Sequence, residues 1–161
     1  MNIFVSSFDA KESAKALDDK RLVKMVLETA QIISTNISLA GFSEGPYRPT
    51  HRNHPSTVWA RTSYQNYLWL CGHFVHLCNE YTRRFHKIHK CEQYTDAFYN
   101  RSTDTAYEKE GLTTFPNCTI FKEMKEITEA YKLYLNYKWK NDKRPPKWTN
   151  SSPPEWVDFG A

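Results

Sequence analysis

Glycine is scarce in this chain, at five of 161 residues, and turn dipeptides are few. That scarcity argues against an all-β protein with many hairpins. No apolar run approaches the ~18 residues a membrane helix needs, and the mean hydropathy is -0.72. The start, MNIFVSSFDAKESAK, meets charge too early for the apolar region of a signal peptide. No cysteine pair among Cys71, Cys78, Cys91 and Cys118 has the C-x-x-C spacing of a zinc or redox site, so buried thiols in a reducing cytosol are expected. These absences leave a soluble, cytoplasmic chain of one-domain size, with 40% hydrophobic residues to build a core.

Two features are abundant instead. Aromatic residues make up 15% of the chain, more than a small core requires. The modest net charge of +4 hides strong segregation. Lys138, Lys140, Lys143, Arg144 and Lys147 surround the single acid Asp142, and Arg83, Arg84, Lys87 and Lys90 have no acid among residues 81–90. Basic segments beside aromatics suit a polyanion partner.

The apolar spacing reads as three long helices in a single all-α domain over residues 1–161. An N-terminal arm occupies 1–8 and an irregular tail 149–161. Asp9 followed by Glu12 marks a helix start, and Asp18–Asp19 either restarts or continues it. Leu22, Val26, Ala30, Ile33 and Ile37 form the stripe of the first helix, which Gly41 ends. Residues 41–54 read as a loop and Pro55 as a first helical residue with Asn53 or His54 before it. The second stripe runs unbroken from Trp59 to Phe85. CEQYTDAFYN suggests a short helix, and the third long helix is expected over roughly 119–141, ended by Pro145 and Pro146. The segment IFV at 3–5 reads as a buried extension or a strand. Trp59, Tyr67, Phe74, Tyr81 and Tyr131 fall on helix stripes, which leaves Tyr47, Trp148 and Trp156 as aromatics available to a base.

Several constellations carry chemistry. Arg21, Lys24, Glu28, Gln31 and Thr35 recur on one face of the first helix, placing a carboxylate among bases. The following loop holds Arg48, His51, Arg52 and His54, groups suited to phosphate contact and proton transfer. His73, His76 and Glu80 share a helix face, but His-x-x-His without a further ligand falls short of a metal site, and neither metal nor cofactor is expected. KRPPKW, Lys143 to Trp148, joins cations to an indole that either stacks on a base or pins the chain end.

The order of these pieces resembles the pyrimidine-dimer DNA glycosylases of the T-even phage type. The resemblance rests on Asp19-Lys20-Arg21-Leu22 with Glu28 nine residues after Asp19, on His54 before the second helix, on Glu80-Tyr81-Thr82-Arg83-Arg84-Phe85, and on Arg144-Pro145-Pro146-Lys147-Trp148. It implies a compact all-α enzyme, monomeric, working on double-stranded DNA in the cytoplasm, the host's if the chain is phage-encoded. The implied activity is N-glycosylase, with or without abasic-site lyase, on damaged or modified pyrimidines. The alternative is a scaffold that binds nucleic acid or a nucleotide without turnover. The implied catalytic residues are Glu28, His54 and the amine of Met1. Arg21, Lys24, Gln31, Arg48, His51 and Arg61 are expected on the nucleic acid, as are Arg84, Lys143, Arg144, Lys147 and Trp148.

The chain also departs from the family pattern. Asn2 is too large for ordinary removal of Met1, whereas the phage type exposes the amine of a small second residue. The family's His falls at Arg21, two of its arginines fall at Leu27 and Gln31, and Trp148 stands without adjacent tyrosines.

Overall fold

A computed structural model of the protein describes residues 1–41, 43–100 and 107–159. Among these residues there are helices and loops and no strand. α1 spans Ala10–Ala16, and the Asp9 carboxylate caps it by accepting from the backbone N–H of Lys11 at 2.9 Å and Glu12 at 3.3 Å. The chain turns extended at Leu17 and Asp18, and α2 restarts over Asp19–Ala40. Gly41 ends α2 in the left-handed conformation at φ 82°, where glycine avoids the Cβ penalty.

The second stripe is not one helix. α3 covers Pro55–Thr62 and α4 covers Tyr64–Phe85, with extended Ser63 between them. The Ser63 hydroxyl accepts from the N–H of Asn66, capping α4, and donates to the carbonyl of Gly111 at 2.6 Å. A hydroxyl that can cap therefore breaks a helix that apolar spacing alone would continue. The CEQYTDAFYN segment forms a short 3₁₀ turn, Lys90–Tyr94, and then α5, Thr95–Tyr99.

The third long helix is shorter than the spacing implies: α6 runs only over Ile127–Asn141. Asn117 ties up the stretch before it. Its side-chain carbonyl accepts from the N–H and hydroxyl of Thr119, and its amide donates to the carbonyls of Phe121 and Met124. These local bonds satisfy the backbone without a helix.

α4 is the centre of the fold and packs against α1, α2, α3 and α5. Leu22, Val26, Ala30, Ile33, Leu70, Phe74 and Leu77 are completely buried between these helices. Trp59, Tyr67, Phe74 and Tyr131 are buried as expected, while Tyr81 is half-buried. α6 reaches the body through the N-terminal arm. Phe4 packs edge-on to Tyr131 at 6.3 Å and stacks on Tyr134 at 6.1 Å. The arm is buried but is not a strand. The Asn2 side-chain oxygen Oδ1 accepts from the N–H of Ile3 at 2.8 Å and Phe4 at 3.1 Å, and Phe4 sits at φ 57°.

Candidate active site

The loop before α3 is strapped to the last two turns of α2. The Ser34 hydroxyl donates to the Tyr47 carbonyl at 3.0 Å and accepts from its N–H at 2.7 Å. The Thr35 hydroxyl repeats this exchange with Thr50 at 3.3 and 3.1 Å, and the Ser38 hydroxyl accepts from the N–H of Gly45. A Cβ on Gly45 would collide with the backbone and hydroxyl of Ser34, so glycine permits this close approach. These hydroxyl-to-backbone bonds tie residues 45–50 to α2 just ahead of His51 and His54.

His54 is the N-cap of α3. Its Nδ1 accepts from the N–H of Ser56 at 3.1 Å, which leaves the proton of the neutral ring on Nε2. Its pKa lies below the ordinary 6.5. Burial is the main cause, followed by the positive N-terminal amine, His51 and Lys122, with only Glu28 acting the other way. The charges that act on the imidazole come from four parts of the chain. Glu28 comes from α2, the amine from Met1, His51 from the strapped loop and Lys122 from the segment knotted by Asn117.

Glu28 is half-buried, with its side chain 14% exposed, and pairs with Lys24 at 3.4 Å. Gln31 is half-buried on the same helix, while Lys24, Arg48 and His51 are exposed. Met1 packs its side chain against the core, and Asn2 is 8% exposed with its amide donating to the Cys118 carbonyl at 3.4 Å. The arm thus has a fixed course next to His54.

That constellation places the Met1 amine, Glu28 and His54 in one neighbourhood. The family model for pyrimidine dimer DNA glycosylase matches residues 1–93. The chain belongs to that family. No curated protein and no solved structure matches it significantly. The matched region contains the arm, α1 to α4 and the strapped loop, while Lys122, α6 and the basic tail lie outside it.

Within this glycosylase fold, two expected DNA contacts are corrected by burial. Arg21 is 7% exposed, and its guanidinium holds Asp142 at 2.8 and 3.1 Å and Asp18 at 3.2 and 3.3 Å. Arg84 is fully buried and donates to Glu80, Asp19 and the carbonyls of Lys15 and Leu17. Both cations are spent inside the protein, where buried charge requires partners. Glu80 is buried between Arg83 and Arg84 and does not face solvent with His76. His73 is wholly buried, and no group of three or more potential ligands is placed to hold a metal ion among the described residues.

Lys143, Arg144 and Lys147 are exposed. They rim a cleft of about 670 Å³ together with Asp18, Asp19 and Lys20, at the start of α2. The cleft's size does not make it the reaction centre. Its acids are held by Arg21, Arg84, Trp139 and Thr149, and neither Glu28 nor His54 lines it. Trp148 is half-buried, donates from its indole to the Ala16 carbonyl at 3.1 Å and packs edge-on to Trp139. It pins the tail. Trp156 stacks on Trp139, and the Tyr47 hydroxyl meets the Cys91 sulfur at 3.1 Å, so the three aromatics expected to be available to a base are engaged within the fold.

Lys122, whose charge acts on His54, lay inside an expected helix; its ammonium donates to the Asn117 carbonyl at 2.6 Å, and the signal that places it outside a helix is Asn117-x-Thr119, a local turn former. Among the described residues no helix is long and apolar enough to cross a membrane.

Proposed function

We propose that this chain excises a damaged pyrimidine from double-stranded DNA and then nicks the abasic strand, with Glu28, His54 and the α-amine of Met1 as the reacting groups. The observation that carries this reading is the match of residues 1–93 to the pyrimidine dimer DNA glycosylase family, with Glu28 half-buried on α2 and the loop that leads to His54 strapped to the same helix. In the first step the amine lone pair forms a bond to C1′ as the glycosidic bond breaks. The bonding electrons leave with the base, which takes up a proton. The sugar acquires oxocarbenium character, and the adjacent carboxylate of Glu28 stabilises that charge. Ring opening gives an iminium between C1′ and the Met1 nitrogen. Loss of a 2′ proton then expels the 3′ phosphate, breaking the strand, and hydrolysis frees the amine.

His54 acts as a donor. Its Nδ1 is occupied by the N–H of Ser56, so the neutral ring offers Nε2–H to a phosphate or to the departing base. Lys24 pairs with the carboxylate, Arg48 and Lys122 add positive charge for phosphates, and Lys143, Arg144 and Lys147 hold the backbone further along by contacts that carry little sequence information. The lesion nucleotide, or its partner, leaves the stack to reach Glu28, at a cost of a few kcal/mol.

The test is borohydride trapping with irradiated duplex DNA. The expected result is a covalent adduct mapped to Met1. With Glu28→Gln, base release should fall by ~10²–10³ while DNA affinity stays within a few-fold, the usual loss for one electrostatic stabiliser. Base release without an adduct would replace the amine by water. Binding without any product, unchanged by Glu28→Gln, would overturn the enzymatic reading.

A further inference from the structure

Arg61 is a half-buried cation whose hydrogen-bond partners among the described residues are all neutral acceptors. One guanidinium nitrogen donates to the Arg52 carbonyl at 2.7 Å and to the Asn36 side-chain oxygen at 3.4 Å. Its other η nitrogen and its Nε make no hydrogen bond among the described residues. Burial lowers its pKa, and the positive charge of Arg52 lowers it further. Arg52 itself is exposed, and neither arginine forms an ion pair among the described residues. The contrast with Arg21 and Arg84 is sharp, since those two are saturated by carboxylates.

Two like charges held together in a partly dry place raise the energy of the fold. The strapped loop nevertheless keeps them together, because Arg61 is fastened to the backbone of the residue that carries the second charge. Asn36 anchors the same corner by donating to the Thr57 carbonyl at 3.1 Å. A bound oxyanion would remove the repulsion and fill the unused side of the Arg61 fork, a geometry suited to two oxygens of one phosphate.

We propose that Arg52 and Arg61 form a two-arginine clamp for one backbone phosphate of the DNA substrate, distinct from the groups around Glu28. The inference rests on DNA being the partner, as the proposed function has it, and adds where one strand is gripped. Asn36 lies eight residues beyond Glu28 on the same helix, about 12 Å along its axis.

The experiment measures affinity of the full chain for duplex DNA, undamaged and irradiated, as a function of salt. Arg52→Gln is the main variant, because Arg52 holds Arg61 through its backbone carbonyl, which the substitution leaves in place. Each phosphate contact contributes a slope of about -0.9 in log affinity against log salt. Between ~50 and ~200 mM salt the native chain should therefore lose about 3.5-fold more affinity than Arg52→Gln. A scan of single methylphosphonates should find one position that weakens the native chain several-fold and Arg52→Gln clearly less, since Arg61 alone then grips that phosphate. An unchanged slope together with no such position overturns the clamp. Inorganic phosphate that protects the native chain but not Arg52→Gln against heating, without any slope difference on DNA, would also overturn it, by making the site one for the free anion. Binding to undamaged duplex needs no chemistry, so a lost slope in a chain without excision leaves the clamp standing and refutes only the enzymatic reading.

Discussion

Arg84→Met separates a buried structural cation from a DNA contact. The guanidinium has four acceptors: Glu80 at 2.9 Å, the Leu17 carbonyl at 2.7 Å, the Lys15 carbonyl at 3.0 Å and Asp19 at 3.2 Å. The two carbonyls belong to the end of α1, where a helix leaves such groups without internal partners. Removing one member of a buried ion pair costs about 3–5 kcal/mol. Here Glu80 keeps Arg83 at 2.6 and 3.1 Å, and Asp19 keeps Thr149. That partial rescue puts the loss near the low end, about 3 kcal/mol. For a chain of this size ~1 kcal/mol shifts Tm by ~2–4 °C, so a fall of about 6–12 °C is expected in a thermal melt.

The acid side of the stability curve supplies a second readout of the same substitution. Burial pushes the Glu80 carboxyl up, but hydrogen bonds and charge from Arg83 and Arg84 outweigh it and hold the group below the ordinary value of 4.5. A depressed carboxylate contributes stability above its unfolded pKa and loses it as pH falls through the folded one. Without Arg84 the folded pKa rises, so acid unfolding should begin at higher pH. A DNA contact would behave differently. Stability would change by ~0.5 kcal/mol or less and the salt slope for DNA would fall by about 0.9. A variant as stable as the native chain but with that reduced slope would refute the buried-network account.

His73 is wholly buried, with Nδ1 on the Ala10 carbonyl, and burial drives its pKa down to about 4. The unfolded chain binds a proton near ~6.5, so stability should decline from there to about pH 4, by roughly 3 kcal/mol, and His73→Gln should flatten that limb in denaturant titrations. By NMR the His73 ring should not titrate above pH 5. Gly45→Ala forces a Cβ into Ser34, so the loop must lift from α2. A loss of about 1–3 kcal/mol is expected, with a matching fall in excision as His54 shifts, and unchanged hydrogen exchange at Tyr47 and Thr50 would contradict it.

Much of the architecture was legible because the physics involved is local. The α2 stripe, the left-handed stop at Gly41, the Pro55 start and the Asp9 cap each depend on residues within four positions of one another. The stripe from Trp59 to Phe85 misled because periodicity reports which face is apolar, not whether the backbone is continuous. Ser63 breaks the helix while keeping that face buried. Residues 119–126 misled for the opposite reason, since Asn117 supplies bonds that propensity does not count. The largest errors concern charge. Arg21 looked available because its partner Asp142 is 121 residues away, and nothing in the spacing announces that pairing.

Those buried pairs also give the Asp19…Glu28 interval a place in the proposed function, although Asp19 is not among its reacting groups. Asp19 accepts from the N–H and hydroxyl of Thr149, its own N–H donates to the Lys147 carbonyl, and Arg21 holds Asp142 at the end of α6. The first turn of α2 is therefore the mooring of the tail, and the tail carries Lys143, Arg144 and Lys147. A straight helix of nine residues separates that mooring from Glu28 by about 14 Å. In the proposed function this interval is the distance between a basic backbone grip and the reacting sugar. An insertion of one residue in α2 would rotate Glu28 by ~100° away from His54, and for that reason the spacing, more than the identity of Asp19 or Arg21, is the part of the motif the chemistry requires.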